Sequence, residues 1–401
     1  MKFSYVQIIG ILALISPLLA VVSPLGLAPL MGVCGFCVIL LTIKEKNVGK
    51  LVSTENIILF GTIIVWTGLS IFWAVDNGSS AIKFVRFFAI VLVGVFTVSA
   101  AKRVIIEEQQ YLMRLFLIGV LTGLFLLFFE RATGGFLSSL FGVKVQYYTF
   151  NRGATLFALL AWPAALMAQR YKRWGALSVF LLILLLTGML GSRSALLAMI
   201  LGLATFIMTK IQPKMAISIV GFISIFYILM APYFHTQILS PDKIKFNANE
   251  LSRQYTVFPR SSYHRFLIWN FSSKKALEKP VFGWGYRSSR SIPGAKNMLD
   301  QSEEALPLHP HNGAIQIWLE LGFIGALLAA FLSFKIIKNF WGKAHSKKEV
   351  AYALGLYSSS FTMICVSYGL WQSWWLSGLF IASTIYIATE GGVFHKNKKI
   401  V

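Results

Sequence analysis

Residues 309–334 read HPHNGAIQIWLELGFIGALLAAFLSF, and this stretch decides the fold. From Asn312 to Phe334 it carries one charged side chain, Glu320. A helix needs about 20 predominantly apolar residues to cross roughly 30 Å of hydrocarbon, so the run predicts a membrane span. Asn312, Gln316 and Glu320 recur at every fourth position, which puts them on one helical face. A polar stripe inside an apolar helix belongs against the bundle interior or a wet cavity, and interhelical hydrogen bonding is one use for it. His309 and His311 precede the span, where the stripe meets the surface.

The same pattern recurs along the chain. Of its 401 residues 56% are hydrophobic and 13% charged, and the mean hydropathy is +0.69. A globular domain carries about 25% charged residues. The expected class is an all-α integral membrane protein with about 12 transmembrane helices. In the first half the spans are Tyr5–Ala20, Pro24–Ile43, Ile57–Trp73, Ala81–Ser99, Leu112–Phe129 and Gly153–Gln169. Gly175–Leu190, Ser194–Thr209, Met215–Tyr233, Asn312–Phe334, Ala351–Leu370 and Trp374–Thr389 complete them. The first run follows Lys2 and resembles a signal peptide, but a second begins directly after Ser23-Pro24, so it reads as a retained helix. Three regions result: nine helices in 1–232, one large loop in 233–308 and three helices in 309–401.

The short loops alternate in charge. One set holds Lys2; Lys44, Lys46 and Lys50; Lys102 and Arg103; Arg170, Lys172 and Arg173; and Lys210 and Lys214. Lys335, Lys338, Lys343, Lys347, Lys348, Lys396, Lys398 and Lys399 extend it. The opposite set holds only Lys83, Arg86, Arg131, Lys144, Arg152 and Arg193. Cytoplasmic loops are the ones enriched in Lys and Arg. Both termini are therefore expected in the cytoplasm and the large loop outside. Distribution over membrane-flanking loops also accounts for most of the net charge of +22, so nucleic acid is not needed as a partner.

Basic residues on the outer side run against that bias. Arg193 lies in the tight turn Gly191-Ser192-Arg193-Ser194, and Lys83 and Arg86 sit one helical turn apart. Such charges either snorkel to headgroups or meet an anion. In the large loop Lys243, Lys245, Arg253, Arg260, Arg265, Lys274, Lys275, Lys279, Arg287, Arg290 and Lys296 outnumber Asp242, Glu250, Glu278, Asp300, Glu303 and Glu304. Arg265 and Arg287, set among aromatic and glycine residues, are the stronger anion-binding candidates. Arginine offers a planar fork that grips phosphate through two bonds. Cys34, Cys37 and Cys365 all fall in apolar runs and are expected to be buried packing residues, with no metal site.

His309-Pro310-His311-Asn312, followed by Gln316, Trp318, Glu320, Gly322 and Gly325, resembles the C-terminal motif of the O-antigen ligase and polymerase superfamily. Arg265, Trp269, Ala276, Pro280, Gly283 and Gly285 resemble the pattern of its outer loop, and the Gly191-Ser192-Arg193 turn fits as well. The resemblance implies a GT-C-like glycosyltransferase of the bacterial inner membrane, working at the periplasmic face in lipopolysaccharide biosynthesis. Its donor would be an undecaprenyl-diphosphate-linked glycan. Its acceptor would be the lipid A core in a ligase, or another lipid-linked repeat unit in a polymerase. No cofactor is implied and no metal. Arginines would meet the charge on the departing diphosphate: Arg193, Arg265 and Arg287, with Arg86 as a fourth. His311 first and His309 second are the candidates for the base, with the polar stripe orienting them. A secondary transporter or lipid-linked sugar flippase is the non-enzyme alternative. A transporter predicts internal repeats and broken helices converging at mid-membrane. No convincing repeat is found, and the polar residues gather at the outer end.

Overall fold

Every residue from Gly153 to Ala168 is buried. An apolar, alanine-rich helix without a polar face has to sit in the middle of a bundle. The helix Asn151–Tyr171 does so, packing against Tyr5–Val22, Ile106–Ala132, Gly175–Met189, Arg193–Ile211, Lys347–Val366 and Ser373–Glu390. Its fully buried Trp162 donates from Nε1 to Ser359 Oγ at 2.9 Å, and Ser359 Oγ donates to the Ala198 carbonyl at 2.8 Å. One hydroxyl thereby ties three helices together where neighbouring lipid offers no alternative partner.

The computed structural model describes residues 4–140, 142, 149–241, 260–298, 304–341 and 346–390. Lys2, Lys144, Asp242, Lys243, Lys245, Glu250, Arg253, Asp300, Glu303, Lys343, Lys396, Lys398 and Lys399 lie outside them. Among the described residues nine helices are long and apolar enough to cross a membrane. The other three expected spans coincide with the central helix, with the shorter apolar helix Gly175–Met189 and with Ser373–Glu390. Around the bundle Ile58, Phe72, Val85, Phe125, Leu185 and Phe222 are exposed, an apolar surface far larger than a water-soluble monomer shows. The chain is an all-α, multi-pass membrane protein. Cys34 and Cys365 are buried as expected, but Cys37 is exposed and lies on the outer face of its helix.

Polar caps begin several helices. The Ser53 hydroxyl accepts the Asn56 N–H at 3.4 Å, and the Asp76 carboxylate accepts the Ser79 N–H at 3.1 Å. Ser346 and Glu349 cap Lys347–Val366 reciprocally. Each cap satisfies N–H groups that the first turn leaves without intrahelical partners.

Two departures from the sequence reading shape the site. Lys347–Val366 ends at Val366, not Leu370 as expected, because Ser367 takes a non-helical conformation (φ −129°, ψ −92°). The span Gly313–Asn339 is broken at Gly322 (φ 67°, ψ −163°), where a continuous helix is expected. The segment 280–285 plugs the break. The Leu319 and Glu320 carbonyls accept the Trp284 and Gly285 N–H groups at 2.8 and 2.9 Å, and the Phe323 N–H donates to the Pro280 carbonyl at 2.8 Å. Trp66 Nε1 donates to the Leu321 carbonyl at 3.1 Å. Non-helical backbone survives in a membrane span only where protein satisfies it in this way.

Only glycine readily occupies the Gly322 conformation, and a β-carbon there would collide with the Val281–Phe282 backbone. Gly322→Ala is expected to cost about 2–4 kcal/mol, read as a lowered thermal midpoint of the detergent-purified protein. An unchanged midpoint would show that the break is not fixed by this residue.

The described parts of the segment expected to be the large loop, 233–241, 260–298 and 304–308, are docked onto the bundle. The helix Pro213–Tyr233 continues through a π-helical turn, Phe234–Ile238, and a further helix runs Arg260–Glu278. Ile268, Trp269, Ala276, Tyr286, Ile292 and Leu306 pack in one cluster with Ala314, Ile315, Trp318 and Trp371. The burial of these side chains holds Arg265 and Arg287 against the histidine motif.

Candidate functional site

Asn312 starts the helix that follows the histidines. Its Oδ1 accepts the Ala314 and Ile315 N–H groups, each at 3.1 Å, and its Nδ2 donates to the Tyr227 hydroxyl at 2.6 Å. His309 and His311 therefore stand on non-helical backbone just outside the span, with ring centroids 4.2 Å apart. His311 has φ 56° and Arg287 φ 61°. Such left-handed conformations are strained for side-chain-bearing residues and persist where the surroundings enforce them.

Hydrogen bonds separate the two histidines. His311 Nδ1 lies 2.6 Å from the Ser367 carbonyl. A carbonyl only accepts, so Nδ1 carries the hydrogen and the neutral ring presents its lone pair at Nε2. Among the described residues nothing hydrogen-bonds to that Nε2. Burial pushes the His311 pKa below the usual imidazole range, and the nearby Arg265 charge adds to the shift, while the Ser367 bond opposes it. At His309, Nδ1 faces the His311 N–H at 3.2 Å, and Nε2 faces the Gly369 N–H and Gln372 Nε2, each at 3.2 Å. The neutral ring has one acceptor nitrogen, so one of these faces already meets a donor, and a second ring proton would set donor against donor at both. Burial, followed by the charges of His311, Arg287 and Arg265, pushes the His309 pKa down to about 3.

The polar stripe anchors two segments to the helix. Gln316 Oε1 accepts the Leu370 N–H at 2.9 Å, and its Nε2 donates to Glu320 at 3.2 Å. Glu320 is 0% exposed. It accepts the Arg287 backbone N–H at 2.8 Å, Trp371 Nε1–H at 2.6 Å and the Ser289 hydroxyl. The stripe thus holds the turn 367–372, which holds both histidines, and it holds Arg287 at the same time.

The arginines fall into two groups. Arg265 is half-buried, and its Nη1 donates to the Val366 carbonyl at 2.7 Å, which leaves the rest of the fork available. Burial lowers its pKa from the usual guanidinium value, yet an arginine stays charged at any working pH. Arg287 has a buried Nε without a partner among the described residues. Both cations lie close enough to His309 to disfavour its protonation. Arg193 is exposed at the first position of Arg193–Ile211, and the Ser194 hydroxyl beside it lies 3.4 Å from the Ser367 hydroxyl. Arg86 lines a separate cavity of about 300 Å³ with Arg152, Gln372, Ser373 and Trp374.

Sequence reasoning missed the turn itself. Ser367, Gly369 and Gln372 contact the histidines, and Trp371 contacts Glu320. The signal was present in Ser367-Tyr368-Gly369-Leu370-Trp371-Gln372, a glycine, amide and aromatic cluster ending an apolar run. The sequence places Arg152 among the outer basic residues and gives it no further role.

Comparison with known proteins places residues 178–330 within the O-antigen ligase family model, which takes in Arg193, Arg265, Arg287 and the histidine motif. A Rickettsia conorii protein named "Putative polysaccharide ligase" is 30% identical over 317 residues, covering 78% of this chain and 74% of its own. A Rickettsia bellii protein of the same name is 31% identical over 327 residues, covering 80% and 76%.

Proposed function

The chain belongs to the O-antigen ligase family, and on that premise we propose that it transfers a glycan from undecaprenyl diphosphate to the lipid A core without a metal. The reaction takes place at the periplasmic face of the bacterial inner membrane, with both chain termini in the cytoplasm. One observation carries this reading: the Ser367 carbonyl fixes His311 in the tautomer whose Nε2 can accept a proton, beside Arg265 and Arg287. The acceptor hydroxyl attacks the anomeric carbon of the donor and passes its proton to His311 Nε2. The bond from that carbon to the diphosphate oxygen breaks, and undecaprenyl diphosphate leaves with the electron pair. Attack opposite the leaving group inverts the anomeric centre. Arg193, Arg265 and Arg287 stabilise the charge that grows on the diphosphate, the same electrostatic role that oriented donors serve in other transfers. His309, held among N–H donors, positions His311 and takes no proton.

The break at Gly322 would favour a transporter if its freed carbonyls lined an ion path. They are bonded to Trp284, Gly285 and Trp66, which supports the enzyme reading.

The test is transfer by purified protein in detergent, with no metal added, from an undecaprenyl-diphosphate glycan to lipid A core. The expected product carries one added glycan. A ladder of longer lipid-linked glycans would move the chain to the polymerase branch, and no transfer to either acceptor from a folded sample would sink the enzyme reading. Arg265→Ala is expected to lower kcat/KM by about 10²–10³, the usual effect of removing one preorganised donor. Arg265→Lys should recover little, since one ammonium cannot reproduce the planar fork that meets both Val366 and a phosphate. Full activity in either variant would remove Arg265 from the site.

A further inference from the structure

Arg86 and Arg152 reach one water-accessible cavity from different helices, Asn77–Ala101 and Asn151–Tyr171. Both are exposed, and neither has an ion pair among the described residues. Two uncompensated guanidinium groups at the end of membrane helices call for an anion. Their arrangement is not that of loose surface charges. Arg152 Cζ sits 5.8 Å from the centroid of the Trp374 ring, a cation–π contact that restrains the side chain. Trp374 Nε1 donates to Gln372 Oε1 at 2.8 Å, and the Gln372 amide lies 3.2 Å from His309 Nε2. One wall of the cavity is thus the strut that supports the histidine pair. Tyr368, whose ring centroid is 4.7 Å from that of Trp374, lies between the two arginine groups and feels both Arg152 and Arg265.

A volume of about 300 Å³ is at the small end of ligand pockets. It suits one phosphorylated sugar and not a polyprenyl chain. Leu25 at its edge is 57% exposed, an apolar lip for a substrate that is itself anchored in the bilayer. A two-substrate transfer needs a second approach to His311, from a side other than the donor diphosphate at Arg193, Arg265 and Arg287.

We propose that Arg86 and Arg152 form a second anion subsite that grips a phosphate on the acceptor saccharide and so orients its hydroxyl toward His311. The proposal rests on the ligase reading and separates Arg86 from the donor diphosphate.

The test begins without donor: fluorescence titration of purified wild type, Arg86→Gln and Arg152→Gln with lipid A core, either phosphorylated or enzymatically dephosphorylated. Each variant is expected to bind the phosphorylated acceptor about tenfold more weakly, the loss of one charge-assisted fork. Wild type and variants should bind the dephosphorylated acceptor alike. Arg152→Lys should recover part of the affinity. The Arg86→Gln midpoint should be unchanged, because among the described residues that side chain makes no ion pair, and Arg152→Gln should lose no more than its exposed contact with the Trp374 ring. In the transfer assay the acceptor KM should rise while the donor KM stays. Equal binding of the phosphorylated acceptor by wild type and variants would overturn the proposal, as would a loss confined to the donor KM. Competition by inorganic phosphate as effective as by the phosphorylated acceptor would make this a free-anion site and also overturn it. A protein that binds the acceptor in this phosphate-dependent way but transfers nothing would keep the subsite and refute the ligase reading.

Discussion

His311→Ala is expected to lower transfer by about 10²–10⁴, the range of general-base assistance, while the purified protein keeps its thermal midpoint and elution volume. The expectation rests on the Ser367 bond, which leaves Nε2 as the only proton-accepting position on the ring. His309→Ala should behave differently. Its ring makes three contacts with the neighbouring backbone and Gln372, so its loss should loosen the turn and lower the midpoint as well as the rate. The pH profile separates the roles further. A base must be unprotonated, and burial together with Arg265 holds the His311 pKa below its ordinary value. Activity should therefore persist as pH falls past about 6.5, the unperturbed imidazole value, and decline at lower pH as His311 takes up its proton. Should the acid limb of kcat/KM lie above pH 7, or survive unchanged in His311→Ala, another group is the base. Activity lost only together with expression would equally count against His311.

Glu320→Leu is expected to be the most destabilising single change at the site. Four donors lose their acceptor at once: the Arg287 backbone N–H, Trp371 Nε1, Gln316 Nε2 and the Ser289 hydroxyl. Each buried donor left unmet costs about 1–3 kcal/mol, so together they approach a typical stability of about 5–15 kcal/mol. The variant should extract as aggregate, or melt far below wild type. Glu320→Gln keeps the shape but turns one oxygen into a donor, which sets it against a donor already there. It should fold with a lowered midpoint and reduced transfer, since Arg287 and the turn 367–372 both hang from this residue. A Glu320→Leu protein with the wild-type midpoint would show that these bonds add nothing to the fold.

Much of this was legible in the chain itself. Runs such as Asn312–Phe334 and Leu112–Phe129 can be little other than membrane helices, because hydrocarbon tolerates no unpaired backbone and few charges. The spacing of Asn312, Gln316 and Glu320 placed them on one face, and the histidines at its mouth marked the end where chemistry gathers. That reading needs only local periodicity, which a sequence states directly.

What only the tertiary structure decided is what those polar groups are bonded to. The break at Gly322 depends on the segment 280–285 lying against it, and a glycine in an apolar run does not announce its φ. Ser367 ends a helix that apolar composition would carry on to Leu370, and its carbonyl then chooses the tautomer of a histidine 56 positions earlier in the chain. The two histidines are alike in sequence; they differ because one ring turns Nδ1 to a carbonyl and, among the described residues, makes no hydrogen bond at Nε2, while the other is ringed by N–H groups. Arg152 likewise gained a role only when the fold set it beside Arg86 and Trp374. Composition and periodicity fix which residues leave water, whereas hydrogen-bond partners are fixed by long-range packing, and the proton chemistry of this site follows the partners.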